Sequence, residues 1–139
     1  MNIKKITYRN KLYSIYFNAL KADKGLNFAT ENEHFIQVGV WNYDKNLILQ
    51  AHYHKEYLRN ASRTSESIYI VEGKIKCSIF TKNGNFIDSY ILQKHDVAIQ
   101  FYGVHEYEIL EKSLVIETKN GPYYGPKKDR KRVNVRKKN

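Results

Sequence analysis

The sequence predicts an all-β protein built as a sandwich or barrel of short strands, with a double-stranded β-helix (jelly-roll) barrel as the expected architecture. Apolar and polar residues alternate with a period of two in a series of short runs separated by turn residues, and no run has the pattern of an amphipathic helix. The 139 residues are 42% hydrophobic and 14% aromatic, which suits one core and excludes a disordered chain. An immunoglobulin-like sandwich has a similar length, but the Cys–Trp–Cys pattern of that fold is missing from the sequence.

The first half of the chain contains three predicted strands that share this alternation. They cover residues 11–17, 34–41 and 46–54. A loop or a single helical turn is predicted at 18–27, and a turn from Asn42 to Asn46 separates the second strand from the third. Trp41, at the end of the second strand, is expected to fill the barrel interior.

The second half contains six predicted strands, rich in β-branched and aromatic residues and bounded by turn residues. They cover residues 67–73, 74–80, 86–92, 96–101, 105–110 and 113–119. Asn83-Gly84 lies where a type I′ hairpin turn requires positive φ at both central residues. Pro122 and Pro126 end the regular structure. A single domain is therefore predicted over residues 1–126, with its core at about 35–120.

The remaining residues, 127–139, form a basic tail. They carry eight Lys or Arg and one Asp, which is +7 of the formal net charge of +10. Blocks of like charge are usually solvated, so this tail is predicted to be flexible. It makes nucleic-acid contact a minor alternative function, because its cations supply salt-dependent affinity for phosphates. The rest of the chain is nearly balanced in charge and shows no recognition motif for nucleic acid.

The sequence also predicts a location. Cys77 is the one cysteine, so the chain cannot form an internal disulfide. No apolar run approaches the roughly 18 residues of a membrane span, and the first ten residues lack the apolar stretch of a signal peptide. A reducing cytoplasm, without membrane contact, is therefore the expected compartment.

Three histidines and one glutamate form a candidate metal site. His52 and His54 are two residues apart on a predicted strand, so both side chains leave the same face. Glu66 begins the next strand and shares a face with its apolar residues, which points it into the barrel. His105 begins a later strand. Imidazole nitrogens with a carboxylate suit a transition metal better than Ca or Mg. Each feature alone also occurs on ordinary surfaces, so the prediction depends on their combination.

The first part of this pattern resembles the first motif of the cupin superfamily, in which HxH is followed by a gap and then by Glu-x6-Gly. Residues 66–73, ESIYIVEG, match the second half of that motif, and His52-Tyr53-His54 matches the first. The gap between them, KEYLRNASRTS, has eleven residues and is longer than usual in the family. The resemblance covers roughly residues 35–120.

The second cupin motif is recognisable but degraded. His95-Asp96 stands where the family has Gly-Asp, and Phe101 replaces a proline. Gly103 matches, and His105 comes one residue early. The resemblance implies that His52, His54, Glu66 and His105 hold one divalent transition metal: Fe, Mn, Zn or Ni. It also implies a homodimer. The chain is further similar to small bacterial cupins of undefined activity that end in Lys-x-Gly-Pro-Tyr, some of which accompany surface-polysaccharide enzymes.

Cations near the predicted mouth of the barrel point to the ligand. Arg59 and Arg63 lie in the long gap, and a guanidinium group holds a carboxylate or phosphate through two parallel hydrogen bonds. Lys119 and Tyr123, from the closing segment, are expected to line the same cavity, with Tyr123 and Glu66 as the candidate catalytic residues. The expected ligand is a small anionic or sugar-derived metabolite. Two functions stay open: a metal-dependent isomerase, epimerase, lyase or oxygenase, and a cupin that only binds its ligand.

Overall fold

The computed structural model describes residues 1–136, most of which lie in antiparallel strands and their connections. The ten strands are β1 (Lys4–Tyr8), β2 (Lys11–Asn18), β3 (Gly25–Phe28), β4 (Gly39–Asn42), β5 (Glu66–Glu72), β6 (Lys74–Phe80), β7 (Phe86–Gln93), β8 (Asp96–Gln100), β9 (Val104–Ile109) and β10 (Leu114–Lys119). Helical structure in this range is limited to a 3₁₀ turn at Ala19–Lys21 and a single α-helical turn, α1, at Pro126–Asp129. Neither has the length and apolar character needed to cross a membrane. The all-β prediction is confirmed.

The strands form one central sheet and two smaller ones. The central sheet has the order β1-β2-β8-β5-β10, the second sheet has the order β7-β6-β9, and β3 pairs with β4 in a two-stranded hairpin. Over residues 1–136 these sheets do not close into a barrel. The arrangement places β5 and β8 in the middle of the central sheet, each with a hydrogen-bonded neighbour on both sides.

Apolar side chains cover both faces of the central sheet. One cluster fills the space between the central and second sheets, with Ile70 of β5 facing Ile79 and Leu92 of β6 and β7. The other cluster lies on the opposite face and joins Ile99 of β8 to Val40 of the β3–β4 hairpin. Strands buried on both faces need apolar residues at nearly every position, which explains the almost continuous apolar run in β8.

The alternation of β5 fixes the direction of Glu66. Ile68 and Ile70 belong to the cluster between the two sheets, whereas Tyr69 packs against the cluster on the other face. Because residues at i, i+2 and i+4 of a strand share a face, Glu66 also points between the sheets. Its position at the start of β5 leaves it at the rim of that space.

The prediction for the first half of the chain is partly wrong. Strand pairing in the predicted strand 34–41 begins only at Gly39, and the predicted strand 46–54 does not form. Residues 43–64 are instead an exposed segment without helix or strand. Trp41 is 64% exposed and does not fill the interior. The structure also adds β1 and β3, which were not predicted as strands.

The β6–β7 hairpin uses a different turn from the one predicted. Gly84 has φ +80°, but Asn83 does not have positive φ, so the turn is not type I′. The Gly84 amide donates to Thr81 O at 2.9 Å, and the Thr81 amide donates to Asn85 O at 2.9 Å. This is a type I turn followed by a left-handed glycine, the usual form of a slightly longer hairpin loop.

The described part of the basic tail contacts the domain at two places. Thr64 Oγ1 donates to Asp129 Oδ1 at 2.8 Å. The Arg136 amide donates to Gly84 O at 2.8 Å, and Arg136 forms a parallel bridge with Asn85. The rest of the predicted tail, residues 137–139, lies outside the described residues, and its flexibility stays a prediction.

Candidate functional site

Two rows of polar side chains face each other between the central and second sheets. Strand register makes Ser14, Gln100 and Glu66 lateral neighbours on β2, β8 and β5. The opposing row, on β7, β6 and β9, consists of Tyr90, Cys77 and Tyr107. An otherwise apolar core therefore contains a polar belt that ends at Glu66.

Hydrogen bonds run along this belt from the core to the rim. Ser14 Oγ lies 2.7 Å from Tyr90 OH, and Gln100 Nε2 donates to Tyr90 OH at 3.0 Å. The same amide nitrogen lies 3.2 Å from Tyr107 OH and 3.3 Å from Cys77 Sγ. Tyr107 OH in turn donates to Glu66 Oε1 at 3.3 Å. Each of these side chains has at least one hydrogen-bond partner, which offsets the cost of burying a polar group in the core.

One atom of the belt is an exception. Among the described residues Gln100 Oε1 is the buried side-chain oxygen or nitrogen that has no hydrogen-bond partner. An unpaired buried carbonyl costs about 1–3 kcal/mol. Such a group in the middle of a polar network marks a place where a water molecule or ligand atom would be stabilised.

The rim of the belt is a carboxylate–imidazole contact between the two sheets. His105 Nε2 lies 2.9 Å from Glu66 Oε1, and the two side chains are 34% and 15% exposed. Burial alone would raise the pKa of Glu66, but the hydrogen bond and charge of His105, together with Tyr107 and Lys119, outweigh it and lower that pKa. Glu66 is therefore an ionised carboxylate that solvent reaches from the His105 side.

The deeper groups of the belt stay protonated. Burial raises the pKa of the Cys77 thiol to about 12. Burial also raises the pKa values of Tyr90 and Tyr107 far above the usual value for tyrosine. The thiol and the two phenols thus serve as neutral hydrogen-bonding groups, and Cys77 is not a nucleophile in this state.

Lys119 lies beside this rim, and Tyr123 lies against Lys119. Lys119 pairs with Glu66 in the register of β10 and β5, and its Nζ lies 4.8 Å from the centre of the Tyr123 ring. Lys119 Nζ also lies 3.2 Å from Glu117 Oε1, and this contact raises the pKa of Lys119. The rim therefore combines a carboxylate, an imidazole, an ammonium group and a half-exposed phenol.

Asn120 holds the segment before β5 against the end of β10. Its Oδ1 accepts from the Ser65 amide at 2.7 Å, and its Nδ2 donates to Arg63 O at 3.2 Å. These bonds fix the point where the chain enters β5 and so fix the position of Glu66.

Two of the three predicted histidine ligands, His52 and His54, are not at this rim. His52 and His54 lie in the exposed segment 43–64, with ring centres 5.4 Å apart, and His52 Nδ1 lies 3.0 Å from Gln50 O. Over residues 1–136 no three His, Cys, Asp or Glu side chains are placed to hold one metal ion. The premise that a strand aligns His52 and His54 is wrong, because residues 46–54 have no strand partner in this range.

The predicted arginines also lie elsewhere. The Arg59 guanidinium packs over Tyr57, with its Cζ 5.2 Å from the ring centre, inside the exposed segment. The Arg63 guanidinium lies over the Tyr102 ring at 5.3 Å. Of the eight predicted site residues, the structure brings together Glu66, His105, Lys119 and Tyr123.

Sequence reasoning missed the belt behind Glu66. Gln100 is the clearest signal, because it is a polar residue at an inward position of an otherwise apolar strand. Tyr107 shares a face with His105, and this alternation already placed the two together. Ser14 and Tyr90 gave no signal of their own, since their contact depends on how the two sheets pack.

No family model, curated protein or solved structure gives a match to this chain.

Proposed function

We propose that this protein binds a small polar metabolite, sugar-derived or anionic, at the rim formed by Glu66, His105 and Lys119. The main observation behind this proposal is the Glu66–His105 contact at the open end of a buried polar belt. Both described contacts of the carboxylate use Oε1, so Oε2 is available to accept a hydrogen bond from a ligand hydroxyl. Lys119 supplies a positive charge beside it for an anionic group.

The same groups support acid–base chemistry. A carboxylate in contact with an imidazole can orient the ring, and an oriented His105 is a candidate proton donor or acceptor for a bound substrate. Tyr123 is the second candidate proton donor at this rim. The proposal names these groups as able to transfer a proton and assigns no particular reaction. A protein that binds the same ligand without turnover uses the same contacts.

A metal-binding cupin is the second candidate. The Glu66–His105 contact brings together two of its four expected ligands from opposite sheets. His95 also has φ +71°, a left-handed conformation that suits the glycine of the family's second motif. The four ligands do not fit one ion as they are arranged, because His52 and His54 are outside the rim. The metal, the jelly-roll barrel and the membership of the cupin superfamily are therefore proposals.

Ligand binding is tested by calorimetric titration of the full chain with neutral hexoses and with hexuronic acids. We expect saturable binding to at least one of these probes, and a loss of at least tenfold in affinity in Glu66→Gln and His105→Ala. Glu56→Gln, in the exposed segment, is the matched control and should bind as the wild type does. Binding that all three variants retain, or no binding to the wild type, would overturn the proposal.

The metal is tested on protein freed of metal by a chelator and titrated with Zn²⁺, Mn²⁺, Fe²⁺ and Ni²⁺. A cupin site requires one ion per chain, and its affinity must fall in His52→Ala and in His105→Ala. Loss in His105→Ala alone would show a site without the HxH pair, and no stoichiometric binding would end the metal proposal.

The expected homodimer is likewise a proposal. Large apolar side chains are exposed along segment 43–64, among them Ile48 at 84% and Leu58 at 89%. A contiguous exposed apolar surface is typical of a contact with another chain. Sedimentation of the wild type against Ile48→Ser/Leu58→Ser tests it, with a monomer in both samples as the contradicting result.

A further inference from the structure

Three connections of the chain meet around a pocket that lies apart from the proposed ligand site. The β1–β2 turn, the β6–β7 turn and the residues after β8 line this open pocket, which has a volume of about 380 Å³. Tyr8, Tyr13 and Tyr102 supply its aromatic wall. Pockets of this volume hold small metabolites.

Four cations lie over the tyrosine rings of this wall, and two of them, Arg9 and Lys11, also line the pocket. Lys11 Nζ lies 3.4 Å and Lys82 Nζ 4.9 Å from the centre of the Tyr102 ring, with Arg63 Cζ at 5.3 Å from the same centre. Arg9 Cζ lies 5.3 Å from the centre of the Tyr8 ring. Within the described range none of the four is in an ion pair with a carboxylate. Like charges held together repel each other, and a bound anion would remove that repulsion.

The local backbone holds Arg9 at this pocket. Arg9 and Asn10 have φ +48° and +57°, and Tyr8 pairs with Lys11 across the turn. Both central residues of the turn are thus left-handed, as in a type I′ hairpin. Asparagine tolerates this conformation, but arginine rarely adopts it. Strained backbone positions cluster at binding sites, where the side chain has a use.

The conformation of Gly103 fixes the aromatic wall on the other side of the pocket from Arg9. Gly103 has φ +81°, and a Cβ there would lie 2.5 Å from the Tyr13 ring and 2.6 Å from Phe80 O. This close approach seats Tyr102 against Tyr13, with ring centres 5.3 Å apart and planes at 86°. The aromatic wall is therefore fixed before any ligand arrives.

Two further observations agree with a site for negative charge. The hydrogen bond with Lys11, together with the charges of Lys11 and Lys82, lowers the pKa of Tyr102. The basic tail also returns to this end of the molecule, where the backbone of Arg136 bonds to Gly84, next to the Asn83 and Asn85 that line the pocket.

We propose that this pocket binds a phosphate-bearing small molecule, with Arg9 and Lys11 of its lining contacting the phosphate oxygens. Arginine forks and lysine ammonium groups are the common ligands of phosphate in proteins. Lys82 and Arg63, which lie over the Tyr102 ring, add positive charge beside the pocket. The four cations gather at one pocket instead of following a stripe, which favours a compact ligand over a nucleic-acid strand. The proposal does not depend on the function assigned to Glu66 and His105.

Titration of the full chain with inorganic pyrophosphate at low salt, followed by calorimetry and by amide chemical shifts, tests this site. We expect saturable binding whose shift changes centre on Lys11, Lys82 and Tyr102, and an affinity at least tenfold lower in Lys11→Gln/Lys82→Gln. Both lysines are exposed, so the variant should keep the wild-type circular dichroism spectrum. Lys94→Gln, in the exposed turn between β7 and β8, is the control and should bind pyrophosphate like the wild type.

Two results would overturn the proposal. One is the absence of saturable pyrophosphate binding, or a loss in Lys94→Gln equal to that in the double variant. The other is binding of single-stranded DNA that the double variant weakens and that pyrophosphate fails to compete, which would assign the pocket to nucleic acid.

Discussion

At the scale of single residues, Glu66 combines partial burial with a lowered pKa. A carboxylate whose folded pKa lies below its unfolded value, near 4.5, stabilises the fold above that pH. The contribution is lost as the pH falls through the folded pKa. His105 and Tyr107 are the partners that supply it.

Glu66→Gln should therefore lower the free energy of unfolding by about 1–3 kcal/mol at pH 7, the usual cost of losing hydrogen bonds to a partly buried charge. The difference from the wild type should shrink as the pH falls below about 4.5, because the wild-type carboxylate then takes up a proton. Urea unfolding from pH 3 to 7 measures both. Glu56→Gln is the exposed control, and a pH-independent difference for Glu66→Gln would contradict the assigned pKa direction.

Cys77 gives a second prediction at this scale, because it is fully buried and its pKa is raised to about 12. A thiol reacts as the thiolate, so the native protein should react with a disulfide reagent at pH 8 at least about 100-fold more slowly than the urea-unfolded chain. The chain has one cysteine, and the absorbance change therefore reports this thiol alone. Equal rates in both states would show that the core opens readily at β6.

Strand alternation predicts the inward direction of Glu66, and the resemblance to the cupin motifs is what places Glu66 and His105 in one site. The sequence does not predict Gln100, Tyr90 and Ser14 as their support. Those contacts depend on which residues of the central sheet lie opposite which residues of the second sheet. Alternation within one strand shows the face of a side chain but not its partner on the other sheet.

At the scale of strands and turns, the sequence predicts the strands of the second half of the chain better than those of the first half. The strands β5 to β10 were each expected near their observed positions, although most of them pair with strands that are not their neighbours in the chain. Residues 46–54 have the same alternation but no partner strand in the described structure. Alternation shows that a segment suits a sheet, whereas pairing depends on a distant part of the chain. The strand β1 was missed because only Ile6 is buried in it.

A substitution at Gly103 tests whether this position requires glycine because of its positive φ alone or also because neighbouring atoms leave no room for a side chain. Gly103→Ala should cost about 2–4 kcal/mol, since it adds a clash with Tyr13 and Phe80 to the strain of positive φ. Gly25→Ala is the matched control: Gly25 has φ +99° and open space around its Cβ, so only the strain of about 1 kcal/mol is expected. Thermal or urea unfolding of both variants separates the two terms. Equal losses of stability in the two variants would show that Tyr13 and Phe80 move aside for the added methyl group at little cost.

At the scale of the whole molecule, the sequence predicts the all-β class, and the structure shows a central sheet covered by an apolar cluster on each face. The second sheet covers one face and the β3–β4 hairpin covers the other. Closure into a barrel was expected from strand number, yet the described sheets remain open. Strand number alone does not fix closure, because the edges must also find each other.

Two core substitutions test whether both layers unfold together. Ile70→Ala removes side-chain atoms from the cluster between the sheets, and Ile99→Ala removes them from the cluster under the hairpin. Both residues are fully buried, so each change should lower the free energy of unfolding by about 2–5 kcal/mol. Leu20→Ala, at a side chain 73% exposed, should change it by less than about 0.5 kcal/mol.

The measurement uses two probes in one urea titration. Far-ultraviolet circular dichroism reports all strands, and the fluorescence of Trp41, the single tryptophan, reports the β3–β4 hairpin. Because the central sheet contributes residues to both clusters, the two transitions should coincide in the wild type and move together in both core variants. If Ile99→Ala shifted the fluorescence transition and left the dichroism transition in place, the hairpin would be an independent layer, and only the two larger sheets would form the cooperative unit that holds Glu66 against His105.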